Sequence, residues 1–355
     1  MKPVKEDNFL RPFQSHGLNF KANPNGKDWE CTCPFSSKKG KMSVEKATGK
    51  WQSFSAGLGG NVYTFLTLFY GFCKDHTTLQ NLSLLATNRK LPVVAFEGEV
   101  AFNDINGTYL IPMRNSEGKI VNLSHCYPGK GIIRTAGCKT SLTGLELVIG
   151  NERPIYICEG EWDMLALRWF FTCMKIPAIV VCVPGASIFK DEWVPFLANR
   201  EIYCCYDNDM PGSAGEHKAA TFLRPVVKEI SFLEWPESFP EKYDVRDFIL
   251  AHNQQPFSKK RGDKCWEVFK NLFTATTKKE RENPQAAQVE QGQPVIIPQR
   301  GELEGVYYKW LKLKDEKPIA LMYGTIFANR LQGESIWMFL VAPPGGTKTS
   351  LLSTL

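Results

Sequence analysis

The sequence predicts an α/β fold, α+β overall, in which a parallel sheet carries the functional chemistry. Three observations predict it. From position 154 onward, "IYIC" (155–158), "AIVVCV" (178–183) and "EIYCCYD" (201–207) alternate with helical stretches at 162–173 and 193–198. That alternation is the mark of βαβ units. Each run is apolar along its length, as a buried strand is. Two of the runs end abruptly on acids, in "CEGEWD" and "YDNDMPG", and the carboxyl ends of strands are where open α/β sheets bind ligands.

The remaining elements follow in chain order. Up to about Lys74 the chain is rich in Gly, Lys and aromatics, with short strand-like pieces, and a polar segment, 75–90, comes next. "YLIPMRNSEGKIVNLSHCYPG" (109–129) reads as a hairpin around Asn115-Ser116-Glu117-Gly118. After the third apolar run, a helix is expected over 212–223, stopped by Pro225, then a strand over 226–233 and a basic segment, 259–270, helical in its second half. The polar, Gln-rich stretch 276–299 contains no aromatic residue and reads as an interdomain linker. Beyond it, 305–331 is helical in part, and "IWMFLVAPPGGTKTSLL" (336–352) is an apolar strand entering a Gly-rich turn. No internal repeat is found.

Composition narrows the class. A chain of 355 residues has room for two or three domains. No apolar run approaches a membrane span, and "MKPVKEDNFLRPF" has no secretory core. Many of the eleven cysteines lie inside apolar strands, which points to reduced, buried thiols and a cytoplasmic location. The formal charge of +6 permits a nucleic-acid partner without demanding one.

The acids demand more explanation. Glu159, Glu161 and Asp163 crowd one strand-to-helix turn. Helix N-termini favour carboxylates, which accounts for Asp163 and extends to Glu161. It does not account for Glu159, at the strand tip before a glycine. Asp207 stands at a second strand tip with Asp209 two residues on, and "YDVRDFIL" supplies Asp244 and Asp247 before a helix. In a parallel sheet the tips share one edge, so Glu159 and the Asp207/Asp209 pair can converge. Converging carboxylates raise each other's pKa unless a cation neutralises them. An all-oxygen donor set suits Mg²⁺.

"CEGEWDMLAL", "YDNDMPG" and "YDVRDFIL" together resemble the Toprim domain of bacterial-type primases, type IA and II topoisomerases and some nucleases. The resemblance covers about 154–251. It implies a metal-dependent phosphoryl-transfer site with Glu159, Asp207 and Asp209 as catalytic and metal-binding residues, and Asp244 or Asp247 as a further acid. Upstream, "CPFSSKKGKMSVEKATGKWQSFSAGLGGNVYTFL" resembles the zinc ribbon that opens such primases. Cys33 stands at the first ligand position, but Ser36, Ser53 and Ala56 replace the other three, and Cys31 is too close to Cys33 to substitute. A structural zinc needs four thiolate or imidazole ligands. The ribbon is therefore expected to be zinc-free, held by Trp51, Phe54, Tyr63 and Phe65. The hairpin and the basic segment after it resemble the N-terminal subdomain of the primase core, which implies phosphate contacts from Arg114, Lys130, Arg134 and Lys139. "APPGGTKTS" resembles a Walker A loop, with Gly345, Gly346, Lys348 and Thr349 at nucleotide-binding positions. It departs from the pattern at Ala342 and Thr347, and no second acidic nucleotide motif follows it.

The order of parts resembles the primase-helicases of phages, plasmids and mobile elements. It implies a ribbon-like domain at 1–75, a primase-core subdomain at 76–153, a Toprim domain at 154–255, a basic segment and linker at 256–300, and the start of a helicase domain at 301–355. The implied function is a DNA primase making short RNA primers on single-stranded DNA from nucleoside triphosphates, with Mg²⁺ or Mn²⁺. Implied partners are the template, a replicative helicase domain and, in the full-length form, further copies of the chain, with no membrane. The alternative is a non-catalytic or nuclease-type Toprim DNA-binding replication factor. The lost zinc ligands favour that alternative, and the retained acids oppose it.

Overall fold

Three sheets share buried cores and together position the acidic loops. The computed structural model describes residues 9–36, 40–127, 131–252 and 257–275. Lys130, the linker, and Gly345, Gly346, Lys348 and Thr349 with the expected P-loop segment lie outside the described residues. Among the described residues no helix is long and apolar enough to cross a membrane.

The first sheet follows a short helix, α1 (Arg11–Gln14). It is antiparallel, in the order β1 (Lys21–Ala22), β2 (Asp28–Thr32), β3 (Lys41–Glu45), β4 (Trp51–Ser53), β5 (Leu58–Gly60). Helix α2 (Val62–Asp75) starts at Asn61, whose side chain accepts the Thr64 N–H. Its apolar face meets an aromatic cluster. Phe65 lies 4.8 Å from Phe13, 5.7 Å from Trp51 and 5.3 Å from Phe69, measured between ring centres. The Trp51 indole donates to the Asn61 carbonyl at 2.9 Å.

Two of the four expected ligand positions, Ser36 and Ser53, hold hydroxyls. Ser53 is fully buried and donates to the Lys41 carbonyl at 3.1 Å, with Ser55 Oγ 3.2 Å away. Gly40 passes so close that a Cβ there would collide with Ser55 Oγ and press on Ser36 Oγ. Phe54 corrects the expected aromatic set. It is 82 % exposed, because alternation after the inward Ser53 turns it outward at the β4–β5 turn.

The segment 75–90 contains a helix, α3 (Leu79–Arg89), opened by a capping box between Thr78 and Asn81. It buries only Leu82 and Leu85, too few apolar positions to declare its period in the sequence.

The second sheet runs β6 (Ala101–Asn103), β7 (Thr108–Arg114), β8 (Ile120–Cys126), β9 (Ile132–Arg134), all antiparallel, with an irregularity at Met113/Arg114. Both of its faces are covered. Leu110, Ile120 and Leu123 join the aromatic core beneath, while Tyr109, Ile111 and Cys126 join the core above.

The third sheet has the order β11 (Ile179–Cys182), β10 (Ile155–Cys158), β12 (Glu201–Cys205), β13 (Glu229–Leu233), β14 (Phe273–Ala275). The first three are parallel, as the sequence predicts, β13 joins them in parallel, and β14 is antiparallel. Side chains alternate between two cores. Tyr156, Cys158, Val180 and Cys182 pack against α4 (Glu161–Met174), α7 (Val245–His252) and α8 (Lys259–Lys270). Ile155, Ile157, Ile179 and Val181 pack on the opposite side with α6 (Met210–Leu223) and, from α5 (Val194–Leu197), Leu197. The sheet's body extends past the expected boundary at 255. Cys265 and Phe269 of α8 are buried in its core, and β14 completes its edge.

If aromatic packing rather than a metal holds the first sheet, a chelator leaves the thermal midpoint unchanged, and Phe65→Ala costs about 3–5 kcal/mol in urea unfolding. A fall of the midpoint on chelation would show that a metal holds it instead.

Candidate active site

The chain runs from β10 to β11 on one side and then crosses to β12 on the other. A crevice opens at such a switch point, outside the carboxyl ends of the strands. In register, Cys158 stands beside Cys205. Glu159 follows β10 immediately, and Asp207 lies two residues past β12. The Asp207 N–H donates to Glu159 Oε2 at 3.3 Å. The structure thus brings these two expected residues together.

Asp209 lies on the same loop and caps α6, its Oδ1 accepting the Gly212 N–H at 2.7 Å. Gly212 allows this close turn, since a Cβ there would strike the Asp207 carbonyl. Asn208 braces the loop from behind. Its amide group donates to the Pro240 carbonyl at 3.0 Å and its N–H to the Tyr243 carbonyl at 2.9 Å. That brace brings Asp244 alongside.

Asp244 and Asp247 meet a cation of the chain itself. Arg246 Nη2 lies 3.0 Å from Asp244 Oδ2 and 3.5 Å from Asp247 Oδ1. The other Asp244 oxygen accepts the Asp247 N–H at 2.6 Å. Sequence reasoning missed Arg246, and it assigned Asp163 to helix capping. Asp163 is instead buried, accepts the Arg246 N–H at 3.2 Å and lies near the Asp244 carboxylate. A signal existed: α4 is apolar on nearly every side, so a carboxylate in its first turn has no solvent face to occupy. Arg89, also missed, lies over the Trp162 ring at 4.2 Å and adds a second guanidinium near Asp163 and Asp244.

Burial and mutual repulsion dominate the electrostatics. The Asp207 carboxyl is pushed up to about 8, first by burial and then by Glu159, Asp244 and Asp209, with Arg246 opposing. Burial also raises Glu159, against the pull of the Asp207 N–H, and Asp209 adds to the rise. Burial, followed by Asp244 and Asp207, holds Asp163 well above the usual carboxylate range.

The expected phosphate-binding residues separate. Arg134 is taken up within the fold, its Nη2 2.8 Å from Glu161 Oε1. Glu161 is only 1 % exposed and also accepts Ser124 Oγ–H at 2.7 Å. Arg134 is one of the residues for which phosphate contacts are expected, and the alternation of β9 turns it towards Glu161 of α4. Arg114 is half-buried, donating to the Gly118 carbonyl at 3.0 Å with Glu146 3.8 Å away. Lys139 is exposed and lines a cleft of about 770 Å³ with Lys119, Tyr63, Thr67 and Phe196.

Among the described residues, no three His, Cys, Asp or Glu side chains are already arranged as a cation cage. The donor chemistry nonetheless fits a hard dication. Glu159, Asp207 and Asp209 offer only oxygen, and they repel one another. Mg²⁺ keeps several waters and needs only one or two carboxylates, not a full protein cage.

No family model matches the chain. An uncharacterised protein of Mycoplasma genitalium is 24% identical over 83 residues, and the aligned stretch spans 23% of this chain and 37% of that protein. Among solved structures, the chain is similar to the Aquifex aeolicus primase, zinc-binding and RNA polymerase domains, at 16% identity and a TM-score of 0.40, covering 94% of this chain and 98% of that one. It is similar to the Escherichia coli primase catalytic core at 13% identity and a TM-score of 0.44, covering 78% and 100%. It is also similar to the primase fragment of the bacteriophage T7 primase-helicase at 22% identity and a TM-score of 0.36, covering 46% and 64%.

Asp207 gives the site a pH signature. Its folded-state pKa of about 8 exceeds the ordinary 3.8, so the folded chain binds this proton more tightly than the unfolded chain. Its contribution to stability is fully present below the ordinary value and is lost as pH rises through about 8. Asp207→Asn stays neutral throughout. Without divalent ions, the melting midpoint of Asp207→Asn minus that of the parent should therefore climb from pH 4 to pH 9. A flat difference would show that Asp207 is not perturbed.

Proposed function

We propose that this chain is a DNA primase, joining ribonucleotides into short primers on single-stranded DNA with Mg²⁺ or Mn²⁺. One observation carries the reading: Glu159 and Asp207 meet at the switch point of a parallel sheet, with Asp209 opening the next helix. Three carboxylates at one sheet edge favour chemistry in which phosphate charge is handled through a cation. A bound Mg²⁺ would polarise the phosphoryl oxygens and neutralise the departing pyrophosphate. Asp207, Asp209 and Glu159 would hold that ion. Asp207 retains a proton near neutral pH in its absence and gives it up on taking a ligand role. Alternatively Glu159, half-buried with a raised pKa, would act as general acid or base instead of as a ligand. Lys139 and Lys119 in the cleft offer phosphate contacts along a template path.

One observation favours the second reading, a non-catalytic or nuclease-type DNA-binding factor. Arg246 occupies Asp244 and Asp247, acids that could otherwise complete a larger metal centre.

Single-stranded DNA of mixed sequence, labelled ribonucleotides and either Mg²⁺ or Mn²⁺ decide between them. The parent should make short labelled products, and Asp207→Asn and Asp209→Asn should each reduce the rate on the order of a hundredfold or more. Parent-level synthesis by both variants contradicts the assignment. Cleavage of the DNA by the parent supports the nuclease reading, and an inactive parent supports the non-catalytic one.

A further inference from the structure

The carboxylates around Asp207 divide into two sets by what they already touch. Both oxygens of Asp244 are engaged, one by Arg246 Nη2 and one by the Asp247 N–H. Asp163 accepts the Arg246 N–H, and Asp247 faces the same guanidinium. A single residue therefore joins three carboxylates through its main chain and side chain. Arg89 lies close by, fixed over Trp162. This half of the cluster holds three acids and two permanent cations.

The other half differs. Among the described residues no salt bridge reaches Glu159, Asp207 or Asp209. Glu159 accepts the main-chain N–H of Asp207, and Asp209 accepts that of Gly212.

We propose that Arg246 takes the place of a second cation in this cluster, so that the site admits one divalent ion, on the side of Glu159, Asp207 and Asp209. This rests on the reading of those three residues as a cation site. A guanidinium stays charged at all working pH values and forms directed bonds to carboxylates. It neutralises Asp244 and Asp247 while repelling any dication that approaches them.

The number of Mn²⁺ ions bound per full chain tests the proposal, read by equilibrium dialysis and by the loss of the free-ion paramagnetic resonance signal. The parent should bind one ion and Arg246→Gln two. In the parent background, Asp244→Asn should keep the single ion with affinity within about threefold, whereas Asp207→Asn should weaken it by tenfold or more. These two variants leave Arg246 in place, so they decide the matter even if Arg246→Gln does not fold. Two ions on the parent, one ion on a folded Arg246→Gln, or equal losses in Asp244→Asn and Asp207→Asn would each overturn the proposal. No ion on the parent would overturn the underlying cation-site reading, and is distinguished from the other outcomes by the parent alone.

Discussion

Cys158 and Cys205 stand side by side in the parallel pairing of β10 and β12, and that register fixes where both acidic loops begin. A parallel pair has no tight turn to set its alignment, so packing must set it. Here the alternation does so. Tyr156 and Cys158 face one core, and Ile155 and Ile157 the other. A slip of one residue would turn each set towards the wrong core and move Glu159 away from the Asp207 N–H. The acids can therefore be held together in mutual repulsion because apolar burial on both faces of the sheet outweighs it.

The middle sheet links this constraint to the first sheet. Its lower face completes the aromatic core with Phe13 and Phe65, and its upper face packs towards α4. The contact of Arg134 with Glu161 crosses from β9 to the first turn of α4, two residues beyond Glu159. Buried pairs of this kind are costly to break, because removal of one partner strands the other charge. The pair thus orients the β10–α4 turn more than it adds net stability.

Much of this was legible in the sequence. The apolar runs at 155–158, 178–183 and 201–207 became parallel strands, and the acids at their ends lie near one another. Their legibility has a physical basis: a strand buried on both faces must be apolar throughout, so a carboxylate at its tip stands out. What stayed hidden depended on partners distant in the chain. Asp163 has the same local setting as a capping acid, and the Arg246 N–H that it accepts comes from α7, distant in the chain. Arg134 reads as a phosphate contact because nothing nearby in the sequence announces Glu161 as its partner. Phe54 looked like a core residue because hydrophobicity alone does not give direction at a turn. The edge strand β14 spans three residues, Phe273–Ala275, and is defined by its pairing with β13 rather than by a pattern of its own.

The cation dependence of folding stability tests the site most directly, since it reads the convergence of Glu159, Asp207 and Asp209 without requiring turnover. A ligand that binds only the folded state raises the melting midpoint as its concentration grows. Added Mg²⁺ at pH 7.5 should raise the midpoint of the parent, and Asp207→Asn should lose most of that rise while remaining folded. An equal rise in the parent and in Asp207→Asn would contradict a shared cation site at the tips of β10 and β12.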